Sequence, residues 1–136
     1  MPVLVNVDDI TDTLTCAPIS RLAETLRSSS RPIKGLLLTN PHNPFGQCYP
    51  KTVIHEYIKF CQKHNIHYIS DEVYSFSGFS SQMFKDPVPF TSALAVDMAA
   101  LGCDPWRVHV VWSISKDFGS SGLRMVSCDP TTRVRV

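Results

Sequence analysis

No charge of one sign dominates this sequence. Its 13 Lys and Arg face 12 Asp and Glu, a net charge of +1. That balance favours neither nucleic acid nor an anionic membrane surface, nor a charged disordered tail. Long hydrophobic runs are missing too, so no membrane-spanning helix is expected. Met1 is followed by Pro2, Val3, Leu4, Val5, Asn6, Val7, Asp8 and Asp9. This stretch lacks the basic region and long apolar core of a secretory signal, which makes the cytoplasm the expected location. There is no internal repeat and no low-complexity tract. The five cysteines, Cys16, Cys48, Cys61, Cys103 and Cys128, form no Cys-x-x-Cys pair, which argues against a zinc ribbon or a thioredoxin-like site. His64 and His67 lie near Cys61, yet they fall at a helix end and in the strand after it, with no second ligand pair. Free thiols in a reducing compartment and no bound metal are the expectation.

What is present reads as an ordinary globular chain. With 136 residues, 43% of them apolar, it is long enough for one domain with a real core. Ile19, Leu22, Ala23 and Leu26 follow helical spacing, with Pro18 at the start and Ser28, Ser29 and Ser30 at the exit. The apolar run 35–39 predicts a buried strand. Two prolines and a glycine then make 40–46 a loop. Val53, Ile54, Tyr57, Ile58 and Cys61 form one stripe, predicting a helix over 51–64. A second strand is expected at 66–70, ending in Asp71, Glu72, Val73 and Tyr74. A Ser-, Gly-, Pro- and Phe-rich loop follows over 75–89, then a helix over 91–100, and a third strand over 108–112. Strand, helix, strand, connection, strand implies right-handed crossovers and a largely parallel sheet, an α/β fold. Ligands of such sheets collect beyond the carboxyl ends of the strands. Asn43, Asp71, Tyr74 and Lys116 all lie just past those ends.

The segment from Ser113 to Arg124 is the most informative. It sets Lys116 after an apolar strand, then a Gly/Ser-rich turn, then Arg124 eight residues on. A lysine that must lose its proton to act as a nucleophile benefits from such a position. Serines and an arginine around one turn suit a dianionic phosphate. Taken singly, each feature has a plainer reading. The Asn-Pro stretch is commonly a turn, an Asp after a strand a cap, and a lone lysine a solvated charge. Ser113-x-x-Lys116 is also the spacing of a serine acyl-transfer motif, but that motif needs a helix where a strand precedes here. In order and at successive strand ends, the features reinforce one another.

Together these motifs resemble those of the class I/II pyridoxal-phosphate-dependent aminotransferases of fold type I. The lysine segment is most similar to the 1-aminocyclopropane-1-carboxylate synthase-like subgroup. The resemblance implies pyridoxal 5'-phosphate as cofactor and Lys116 as its Schiff-base lysine and later general base. It implies Asp71 at the pyridine nitrogen, Tyr74 and Asn43 at the ring hydroxyl, and Ser113 and Arg124 at the phosphate. An α-amino acid is the implied substrate, with transamination and cyclising elimination both open, and full-length members are expected to be homodimers. The resemblance spans 35–125. It implies that the chain is part of the mainly parallel-sheet large domain, truncated at both ends. Residues 1–33 form a loosely matching segment with one helix, 34–125 a partial cofactor-binding domain, and 126–136 a divergent tail in which the strand expected after Arg124 is cut short. An N-terminal phosphate-binding turn and a C-terminal carboxylate-binding arginine are not recognisable. The alternative expectation is therefore a non-catalytic truncated paralogue that binds the cofactor weakly or pairs with a full-length subunit.

Overall fold

The computed structural model describes residues 2–7, 9–79, 81–83 and 86–130, with Asp129 and Pro130 described by backbone alone. Ser80, Phe84 and Lys85 of the expected loop, and 131–136 of the expected tail, lie outside the described residues. Four strands, β1 (Gly35–Thr39), β2 (His67–Asp71), β3 (Val108–Ser113) and β4 (Val126–Pro130), form one sheet in that spatial order. β1, β2 and β3 are parallel, and β4 returns antiparallel along β3. Helix α1 (Ile19–Ser28) precedes β1, α2 (Lys51–Lys63) crosses from β1 to β2, and the short α3 (Ile114–Asp117) caps β3.

Register explains why one sheet face is buried. Leu38 pairs with Ser70 and Ser70 with Val110, while Tyr68 pairs with Val108. All five are buried, and alternation puts them on one face. There they meet the α2 stripe of Val53, Ile54, Tyr57, Ile58 and Cys61. Phe60 joins this core and packs tilted against His64 with ring centroids 4.5 Å apart. Leu22, Ala23 and Leu26 of α1 pack against its margin. Leu37, pointing the other way, is 60% exposed, so the opposite face stays open over β1. Among the described residues no helix is long and apolar enough to cross a membrane.

One segment departs from the sequence reading. The helix expected over 91–100 is only a 3-10 turn, Ala93–Ala95, followed by a separate turn. Ser92 Oγ caps the first by accepting from the Leu94 amide, Val96 is extended, and Asp97 Oδ1 accepts from the Ala100 amide. Side-chain acceptors thus take donors that a continuous helix would keep for itself. Beyond Met125, β4 pairs with β3 from Val126 opposite Ser113 to Pro130 opposite His109.

Candidate active site at the carboxyl edge of the sheet

Three loops leave the carboxyl ends of β1, β2 and β3, and buried polar groups hold them there. Asn40, directly after β1, is fully buried. Its amide donates to the Asp71 carbonyl (2.9 Å), its Oδ1 accepts from the Tyr49 amide (3.0 Å), and its Nδ2 donates to the Thr91 carbonyl (3.2 Å). One side chain therefore joins the first loop to the distant segment at Thr91. Within that loop His42 stacks on Phe45 at 4.4 Å, and Gly46 turns the chain at φ 62°, a conformation that favours glycine. Asn43 sits exposed in this turn.

At the end of β2, Asp71 and Glu72 have different fates. Glu72 is buried and accepts from Ser70 Oγ (2.9 Å) and from the Ala93 amide (2.8 Å). Asp71 is half-buried, lies between Thr39 and Val111 in the register, and accepts weakly from Thr39 Oγ1 (3.4 Å) and the Val73 amide (3.4 Å). Such long contacts leave the Asp71 carboxylate capacity for another donor.

β3 delivers Ser113, Lys116 and Arg124. Ser113 is buried and begins α3, its Oγ accepting from the Ser115 amide at 3.1 Å. That hydroxyl also lies 2.8 Å from Ser115 Oγ and 2.9 Å from the Met125 carbonyl. A carbonyl can only accept, so the Ser113 proton goes to Met125 and Ser113 accepts from Ser115. Lys116 is exposed, and its Nζ stands 5.8 Å from the centroid of the Tyr74 ring, within cation–π range. Arg124 is exposed in the left-handed region at φ 51°, where a non-glycine residue is uncommon.

The structure thus brings Lys116 to Tyr74 and sets Asp71 at the neighbouring strand end. Among the described residues, no hydrogen bond or ring contact joins Asn43 or Arg124 to those three. Sequence reasoning passed over Asn40, Glu72 and Asp117. Asp117 accepts from Trp112 Nε1 (2.9 Å), Ser77 Oγ (2.8 Å), the Phe76 amide (3.2 Å) and Ser75 Oγ (3.4 Å). Burial pushes its carboxyl up, but these hydrogen bonds outweigh burial and hold it below the ordinary carboxylate range. Burial pushes His42 down, favouring its neutral form, and raises the Tyr49 phenol to about 12. A carboxylate acceptor, with phenol, lysine, arginine and serine donors, follows the ends of adjoining strands, and this is chemistry that a phosphorylated pyridine aldehyde would need.

Comparison with known proteins places this edge in context. The family profile described as "Aminotransferase class I and II" matches residues 5–128. A probable aminotransferase of Aspergillus oryzae, aclI, is 53% identical over 131 residues, covering 96% of this chain and 31% of the relative. The mouse 1-aminocyclopropane-1-carboxylate synthase-like protein 1 is 36% identical over 111 residues, covering 82% of this chain and 20% of the relative. Among solved structures, an aminotransferase from Mycobacterium tuberculosis superposes with a TM-score of 0.56 at 25% identity, over 80% of this chain and 26% of that one. A PLP-bound C-S lyase from Staphylococcus hominis shares the fold with a TM-score of 0.62 at 19% identity, over 84% of this chain and 26% of that one. The chain spans less than a third of the length of these curated relatives.

Proposed function

This chain belongs to the class I and II aminotransferases, a family of pyridoxal-phosphate-dependent transferases, and from that premise we propose that it carries the lysine-bearing part of an enzyme site acting on an α-amino acid. The observation that carries this reading is Lys116 Nζ over the Tyr74 ring at 5.8 Å, with Asp71 at the adjoining end of β2. Pyridoxal phosphate, when bound, supplies an electron sink that makes the bonds at an amino acid's α-carbon labile. Lys116 would hold it covalently, and its Nζ, released when the substrate amine takes its place, would be positioned to take and return a proton at the substrate's α-carbon. Asp71 would favour a protonated ring nitrogen by offering a fixed negative charge. Tyr74 and Asn43 would donate to the ring hydroxyl. Arg124 would anchor the phosphate, with the Ser113 hydroxyl beside it.

The reaction belongs to the aminotransferase or 1-aminocyclopropane-1-carboxylate synthase-like type, in keeping with the names of the relatives. The five cysteines, all free, fit a cytoplasmic location. A second reading is supported by the open sheet face at Leu37: the chain pairs with a longer subunit or a second copy and acts only within that assembly. Pyridoxal phosphate added to the purified chain, borohydride reduction and peptide mapping test the main reading. The pyridoxyl group is expected on Lys116; label spread evenly over all lysines would overturn the assignment.

A further inference from the structure

We propose that Asp117 is a positioning residue, tying the turn that carries Tyr74 to the turn that carries Lys116. The inference rests on the assignment of Lys116 above and extends it to a residue outside the cofactor's donor set. Tyr74 and Lys116 are distant in sequence, and the β2–β3 ladder that brings them near ends at Asp71 opposite Val111, with the Glu72 amide donating to the Val111 carbonyl at 2.8 Å. Beyond that point one carboxylate gathers the hydrogen bonds between the two turns. Asp117 Oδ1 takes the Ser77 hydroxyl, while Oδ2 takes the Phe76 amide, the Ser75 hydroxyl and the Trp112 indole. Three of these donors belong to the residues immediately after Tyr74, and the fourth lies on β3 just before Ser113. The carboxylate therefore fixes the loop after β2 to the strand and helix that present Lys116.

Aromatic rings brace the same junction. Phe76 meets Trp112 edge-on at 5.9 Å and Phe118 at 6.4 Å, and Trp112 meets Phe118 edge-on at 6.2 Å. Each ring is adjacent in sequence to a hydrogen-bonding member of the hub or is itself one. Phe76 and Phe118 nevertheless stay 72% and 65% exposed, so their packing alone is a weak restraint. Direction comes from the hydrogen bonds. A charged acceptor taking four donors is stronger than neutral pairs would be. A carboxylate next to the lysine in sequence, turned away toward Trp112 and Ser77, holds Lys116 Nζ over Tyr74 without neutralising it.

Two readouts on the full chain test this, one of them independent of any cofactor. By NMR hydrogen exchange, the Trp112 indole proton and the Phe76 amide should exchange about tenfold faster in Asp117→Ala. Asp117→Asn, which keeps one acceptor oxygen, should fall between. The His67 amide, bonded to the Lys34 carbonyl at 2.9 Å, should not respond. In the second readout, the share of borohydride-trapped pyridoxyl label on Lys116 should drop by about tenfold in Asp117→Ala and recover partly in Asp117→Asn. Should Asp117→Ala lose its far-UV spectrum, Asp117→Asn and Ser77→Ala decide, each expected to give about threefold effects at Phe76 and in the label. Unchanged exchange at both protons, or wild-type selectivity for Lys116 that no variant alters, would overturn the proposal. Even labelling of the wild type beside fast exchange in the variants would instead overturn the assignment of Lys116 and leave the Asp117 tie standing.

Discussion

At the carboxyl ends of β1, β2 and β3 buried and half-buried polar side chains hold distant segments of the chain; at the amino ends backbone hydrogen bonds do more of the joining. Asn40 reaches Tyr49 and Thr91, Glu72 reaches Ala93, and Asp117 reaches Ser75, Phe76 and Ser77. The amino ends are joined mainly by backbone. His67 donates to the Lys34 carbonyl, Ile66 to the Cys61 carbonyl, and Asn65 makes the turn at φ 56°. Gly35 sits so close to β2 that an added Cβ would lie 3.2 Å from the His67 carbonyl oxygen. Side-chain polar contacts there include His67 with His109, their nitrogens 2.8 Å apart, and Gln62 Oε1, which accepts from the Asp104 amide at 3.0 Å. One sheet thus has an end joined mainly by backbone and an end where long loops are held in place by side chains. Such held loops are where binding groups can be presented with fixed geometry.

The contrast should be sharpest at Glu72. Glu72→Ala leaves the Ser70 hydroxyl and the Ala93 amide unsatisfied in the interior, and urea unfolding should show a loss of about 3 kcal/mol. Asn40→Ala removes one side-chain acceptor and one donor from buried partners, with an expected loss of about 2 kcal/mol by the same measurement. Comparable losses from His67→Ala at the other end would break the comparison.

The amino end should instead reveal itself through pH. Burial first, and then the neighbouring His67, hold His109 below its ordinary value of 6.5. A folded-state value below the unfolded one means that the unfolded chain binds more protons in this window. The stabilisation is therefore complete above pH 6.5 and is lost as pH falls through the lower folded value. Burial pushes His42 and His55 the same way, so the difference between wild type and His109→Gln isolates the pair. Substitution should flatten the acid slope of stability by well under about 1 kcal/mol, since solvent screens a partly exposed pair. A steeper slope in His109→Gln would contradict the assigned direction. The smallest effect is expected from Leu37→Ser on the open face, where stability should change by less than about 0.5 kcal/mol while light scattering falls.

How much of this was legible in the sequence follows from the range of each interaction. β1, β2, β3 and α2 were readable because apolar runs and a 3.6-residue stripe are local signals. Phe60, three residues after Tyr57 and seven after Val53, lies at the margin of the same stripe and was legible by the same spacing, though it was not counted there. The expected helix over 91–100 failed because its apolar content is interrupted by Ser92 and Asp97 as local caps, and because Glu72 claims the Ala93 amide. β4 offered only a short segment ending at Pro130, and its partner β3 fixes it as a strand. In the site, the motif order pointed to Asp71, Tyr74 and Lys116, and the fold sets all three at one edge. The polar groups that build that edge were opaque. Asn40 and Thr91, Glu72 and Ala93, and Asp117 and Ser77 are far apart in sequence, and no spacing rule links such pairs.

The most direct test of the central claim is a titration of pyridoxal phosphate into the nitrogen-15-labelled chain, followed amide by amide. If the carboxyl edge is the cofactor site, shifts will concentrate at Asn43, Asp71, Tyr74, Ser113, Lys116 and Arg124, and Gly35, His67 and Val108 at the amino end will not move. Shifts centred on the amino end, or spread evenly across the surface, would contradict it.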